Sequence, residues 1–472
     1  MIRLALADLR DSWLAWLGVS IGFVTLNFSL ALSGIALTSA ASSTAALGPD
    51  GTQLLRVDGI ANIVLSSLVG LAVIGAATAL VVTSRRGALA RVLLAGATPA
   101  QVTLLVTTQI TAVALASSVV GSILAVALAP TALRLVVEDR GLAGFDPTVS
   151  VPLLLGTATG CALLCVIGGL RQAHAASAIP PVEALREATS GGTRPEGPLH
   201  RTLRALRFAA SIAALLVMFV FVAAAGNTAA TEPEAGKDLV SMITQQAFLA
   251  VPVAGLALTA ILPWIVGPVT RAWTGALPTR SASWHLARHT VLAKRDRLTR
   301  SIVPVMFSVG LVFGLMAVGA TFAGIAEHLG VGQLEGSSAT SMLTLAGLPL
   351  AVAVAGAVGN LVMMSRQRSA ELALDGVIGA TPRQQILIPI FEALIITLTA
   401  SILGLIMATV GGSLLALGLS QVLPQAQLVM PWALLAGSVL ACLIVVTAAT
   451  TGPIIRSLGA PAPTVISRFI AT

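Results

Sequence analysis

The residues able to do chemistry are few. Glu392, in PIFEALIITL, is an acid inside an apolar run, where a carboxyl group could relay protons or bind a cation. His285 and His289 stand four apart, a spacing that places two imidazoles on one helix face and can suit a metal ion. No Cys or acid at a useful spacing joins them, and Trp284, Arg288 and Lys294 instead fit an amphipathic helix lying at a membrane surface. No metal site is expected. A phosphate-cradling P-loop needs G-x-x-x-x-G-K-[ST], and neither Lys237 nor Lys294 stands in that pattern. No Ser-His-Asp or Cys-His arrangement is evident, so no catalytic residue is expected and no cofactor held by this chain.

One short stretch repeats instead. GATP occurs in LLAGATPAQV (Gly96, Ala97, Thr98, Pro99) and again in GVIGATPRQQ (Gly379, Ala380, Thr381, Pro382). Arg85 and Arg86 precede the first copy by about one short amphipathic helix. Gly96 can break that helix by taking positive φ, Thr98 can cap the next helix, and Pro99 suits its first turn. The expected shape is a rigid elbow between two helices.

The elements that position these elbows follow from composition. The chain is 56% hydrophobic and 10% charged, with a mean hydropathy of +0.95. An average soluble domain carries about 25% charged residues. Runs of about 20 apolar residues cross a bilayer as helices. About ten are expected, near 14–37, 58–82, 103–129, 150–169, 207–226, 243–268, 301–325, 338–363, 387–418 and 431–455. Basic residues stay on the cytoplasmic side. With both termini inside, only Arg56, Arg134, Arg140 and Lys237 of the 27 Lys and Arg fall outside. The net charge of +8 therefore reflects membrane topology and gives no support to nucleic-acid binding. The first span is too long for a signal peptide, and Asp8 and Asp11 precede it, so it reads as retained. Cys161, Cys165 and Cys442 fall in spans and read as small packing residues. The preference for Arg over Lys and the absence of Tyr suit a GC-rich bacterial genome.

Sliding the chain by 283 residues lays one elbow on the other. It also sets Gln109 opposite Glu392 and Gly121 opposite Gly404. Glutamine cannot exchange protons, so a polar contact between helices explains both intramembrane positions better than a relay. The halves run from 1 to 190 and from 283 to 472, with a linker and two spacer spans over 191–282. Both halves begin inside, so they are parallel repeats and one chain can act as a pseudo-dimer.

RQRSAELALDGVIGATPRQ resembles the segment between the second and third spans of FtsX-like permeases of ABC transporters, the type VII or MacB-like group. Arg366, Arg368, Glu371, Gly379, Ala380 and Thr381 stand in matching places. The first half keeps Arg85, Gly96, Ala97 and Thr98 but has Ala88 where that family usually has Glu. Ile179 to Arg186, in RQAHAASAIPPVEALRE, matches a second signature after the fourth span, and IIRSLGAPAPTVISRF is a degraded copy. The resemblance implies an all-α polytopic protein of two four-helix repeats, whose elbows are coupling helices docked on cytoplasmic ABC ATPase subunits, two per chain. ATP and Mg would sit on those partners. It implies export, or extraction from the outer leaflet, of a hydrophobic or amphipathic compound such as a lipid, peptide or antibiotic, from a bacterial cell membrane. The outer loops are short, and the family's large outer domain is not expected. Two alternatives stay open: a mechanical transducer controlling a partner outside the membrane, and an ion-coupled secondary transporter.

Overall fold

The computed structural model describes residues 7–10, 13–42, 44–138, 147–177, 198–231, 233–277, 281–328, 347–363, 376, 378–420 and 427–457. Apolar runs in which the backbone must bond to itself fold as helices, and every regular element among the described residues is one. In chain order they are α1 (Trp13–Ser42), α2 (Thr44–Ser84), α3 (Arg86–Leu94), α4 (Pro99–Glu138), α5 (Val151–Ser177) and α6 (Pro198–Thr231). There follow α7 (Pro233–Gly275), α8 (Ala282–Ala293), α9 (Arg295–His328), α10 (Gly347–Met363), α11 (Pro382–Ser420) and α12 (Trp432–Ser457). Among the described residues, 9 helices are long and apolar enough to cross a membrane. The shorter α10 is the described part of the span expected near 338–363; residues 338–346 lie outside the described residues.

Several helices outrun the apolar segments that announce them. α2 has 41 residues and α4 has 40. α2 is broken at Gly48, whose backbone is non-helical (φ 66°), and at 1.5 Å per residue α4 reaches about 60 Å, roughly twice the hydrocarbon core. Their ends farthest from the GATP turns join α1 in a separate small core of Ile35, Leu55, Ala129, Leu133 and Val137, against which Leu153 and Leu348 pack. α1, α2 and α4 are thus tied together beyond the main core.

The two repeats use the same packing. α1 lies against α2 and α4, and α9 lies against α11. In each, the first and third spans cross at a glycine of the third. A Cβ on Gly121 would stand 2.7 Å from the Val24 carbonyl oxygen, and one on Gly404 would stand 3.0 Å from the Gly310 nitrogen. A second tie holds the first span to the residues leading into the fourth. The Thr148 amide donates to Ser39 Oγ at 2.9 Å, and the Val429 amide donates to Thr321 Oγ1 at 3.1 Å.

The halves meet where α1 and α2 face α9 and α10. Gly18 and Gly359 touch backbone to backbone, and Gly356 receives the Val73 side chain. Arg300 Nη1 donates to Thr83 Oγ1 at 2.6 Å across this seam. The spacer helices side with the second repeat: α7 packs on α9 and α11, and α6 on α7 and α11. Trp273 Nε1 donates to Thr399 Oγ1 at 3.0 Å, fixing α7 to α11. α8 presents one apolar stripe to the protein. It buries Ser283, Trp284, Ala287 and Val291 on one stripe, with Trp284 between Trp273 and Phe391 at 6.2 and 5.6 Å.

Candidate functional site

The first elbow is built by a glycine stop and a capping box. α3 ends as the Ala95 amide donates to the Arg91 carbonyl at 3.0 Å and the Ala97 amide donates to the Val92 carbonyl at 3.2 Å. Gly96 between them has φ +96°, a backbone region that side chains rarely adopt. Two residues on, the Thr98 amide donates to Gln101 Oε1 at 2.9 Å while the Gln101 amide donates to Thr98 Oγ1 at 3.3 Å. That reciprocal pair satisfies two free amides at the start of α4, and Pro99 occupies its first turn.

The second elbow repeats this construction. Gly379 has φ +111°. The Thr381 amide donates to Gln384 Oε1 at 2.9 Å, and the Gln384 amide donates to Thr381 Oγ1 at 3.4 Å. Gln101 and Gln384 are working residues missed in the sequence reading, although T-P-x-Q is a capping-box spelling. Replacing either Thr98 or Thr381 by Ala is expected to remove about 1 kcal/mol from its helix start. Amide exchange over residues 98–103 or 381–386 should then rise roughly fivefold, which hydrogen exchange with mass spectrometry reads.

Both elbows carry exposed apolar residues beside the glycine. Leu94 is 52% exposed and Ile378 is 78% exposed. Arg86 begins α3. Arg366, Arg368 and Glu371 lie outside the described residues.

Behind the first elbow is a polar cluster. Arg85 Nη2 donates to Asp8 Oδ2 at 2.5 Å and Arg85 Nη1 donates to Gln109 Oε1 at 3.1 Å, while Gln109 Nε2 donates to Asp8 Oδ2 at 2.7 Å. One triangle thereby fastens the segment at residues 7–10, the base of the elbow and the third span. Asp8 is too exposed for this pair to contribute much to stability; what the triangle supplies is direction.

Glu392 is buried on α11, next to the Phe391 that packs against Trp284, and it is not without a partner. In this neighbourhood α8 holds the place against α11 that residues 7–10 hold against α4. His285 and His289 are both exposed on α8. Among the described residues no group of three or more His, Cys, Asp or Glu stands close enough to hold a metal ion.

An all-α membrane bundle made of two like four-helix units, each turning on the same elbow, defines the class: a polytopic protein of repeated permease type. The family follows from comparison with known proteins. The FtsX-like permease C-terminal family matches residues 60–178 and again 343–462, so the chain belongs to the FtsX-like permease family and carries two such repeats. It is a membrane permease component of an ABC-type system. Among curated proteins, none matches the chain.

Proposed function

We propose that this chain is the permease of an exporter, moving or extracting from the outer leaflet a hydrophobic or amphipathic compound under the drive of a separate cytoplasmic ATPase. The observation that carries the reading is the pair of elbows, identically capped and both exposing an aliphatic side chain. A turn held rigid by a glycine stop and a capping box suits a handle on which a protein partner can push. Each elbow, from Arg85 and Arg86 to Pro99 and from Arg366, Arg368 and Glu371 to Pro382, receives one ATPase subunit. Two subunits per chain make it a single-chain pseudo-dimer, with ATP and Mg on the partners. The functional units are residues 1–190 and 283–472, with 191–282 as spacer. The membrane is the bacterial cell membrane, with both termini and both elbows in the cytoplasm.

The force path runs from elbow to span. Arg85 links the first elbow to Gln109 and Asp8, so a push on α3 moves α4 and the residues leading into α1 together. The long α1, α2 and α4 share the distant small core, which carries that movement to their far ends. The apolar stretches of the first two spans, Trp16–Ser42 and Gly51–Ser84, are joined by a short link, which leaves little loop there for an outside partner and favours transport over remote control.

The test is to co-express the chain with a candidate ABC ATPase from the same genome, purify both in lipid, and compare ATP turnover with that of the ATPase alone. A stable complex whose turnover responds to a lipid, peptide or antibiotic supports the reading; an ATPase that neither binds nor changes rate refutes it. Glu392→Gln, which copies the residue at Gln109, is expected to keep transport within about twofold of wild type, because a polar contact survives the change. A loss of tenfold or more would favour the ion-coupled alternative.

A further inference from the structure

α12 stands away from its repeat over part of its length. Between it and the α9–α10 pair lies an apolar cleft of about 370 Å³. Val305 and Ser308 of α9 form its buried floor, Val354 of α10 its side, and Leu434, Gly437 and Ala441 of α12 its exposed lip. The cleft falls inside the apolar windows of α9 and α12, so it opens at bilayer depth.

Its chemistry is restrictive. The two hydroxyls in the lining are turned back on their own helices: Ser308 Oγ donates to the Pro304 carbonyl at 2.9 Å, and Ser438 Oγ donates to the Leu435 carbonyl at 2.9 Å. Nothing in that wall recruits a polar group. A helix of a second chain, about 10 Å across, is too thick for such a volume. In the first repeat the fourth span instead meets the second directly, since a Cβ on Gly168 would stand 3.2 Å from Ile74 Cγ2.

We propose that this cleft holds one acyl chain of a bilayer phospholipid, wedged between α12 and the α9–α10 pair. The hydrocarbon replaces the helix contact that the first repeat makes for itself, so α12 of the second repeat moves with its lipid rather than with α10. The site goes beyond the coupling reading and does not depend on it, because it needs no ATPase.

The full chain is placed in nanodiscs of phosphatidylethanolamine and phosphatidylglycerol containing a trace of phospholipid with a mid-chain diazirine. After illumination, adducts are mapped by peptide mass spectrometry. A chain held in the cleft should label Val305, Ser308 and Gly437 about threefold more per residue than the lipid-facing Leu440 and Ile444. No atom lies within 4 Å of a Cβ at Gly437, so Gly437→Leu can fill the space without a clash. Combined with Ala441→Phe it should reduce cleft adducts to background and leave those at Leu440 and Ile444 unchanged. Even labelling of the cleft and the outward face in the wild type overturns the proposal, and that result stands whether or not the filled variant folds. Cleft labelling that survives filling overturns it equally.

Discussion

Replacing Gly96 and Gly379 together by Val should abolish stimulated ATP turnover in the reconstituted complex, while leaving the chain folded in the membrane. Both glycines hold positive φ, at +96° and +111°. A β-branched residue there costs on the order of 1–3 kcal/mol per site and relieves the strain by opening the turn. Opening it breaks the Ala97 to Val92 bond that sets the direction of the first elbow. Leu89 belongs to the main core and Val92, Leu93 and Ala97 pack against it, so unfolding temperature should fall by a few degrees while the spans stay folded. If docking weakens by the strain at one elbow, turnover at subsaturating ATPase falls roughly tenfold per site. Gly96→Asn is the informative control, because Asn tolerates the left-handed region and should retain much of the stimulation. A Val double variant with wild-type turnover would remove the elbows from the mechanism.

Gly359→Leu should have the largest effect on stability of any single change at the seam between the repeats. The α-carbons of Gly18 and Gly359 leave no room for a Cβ on either side, and the nearest atoms are backbone, which cannot rotate away. Overpacking of this kind costs about 1–3 kcal/mol when side chains yield, and more when two helices must separate. The neighbouring tie across the seam, Arg300 to Thr83, would be pulled apart with it. Thermal unfolding in detergent should fall by several degrees or lose cooperativity. Gly156→Leu, at an exposed glycine with nothing within 4 Å, should behave like wild type. Equal stability of the two variants would mean that the repeats do not depend on this contact.

The spans were legible because hydrophobic length is a local property, and so was each GATP elbow, because glycine, threonine and proline carry their turn chemistry with them. The repeat set Gly121 opposite Gly404, but that the first and third spans cross at both is visible only in the structure. The seam was not legible in the same way. Gly18 and Gly359 are ordinary small residues until the register of two distant helices is known. The triangle of Asp8, Arg85 and Gln109 joins three separate segments, and only the shared end of the bundle brings them together. What covers α8 was not legible either: an amphipathic stripe with Trp284 reads alike whether lipid or protein covers it, and here Trp273 and Phe391 meet Trp284. Helix length was underestimated because apolarity ends at the edge of the bilayer while helix propensity does not.

The most direct measurement places a photo-crosslinking amino acid at Leu94 or at Ile378, both exposed at the elbow tips, in the chain reconstituted with its ATPase. The account predicts that each position captures an ATPase subunit, that two subunits are captured when both positions are labelled, and that capture rises when ATP closes the motor. A chain that still stimulates ATP turnover yet captures no ATPase from either elbow would contradict it.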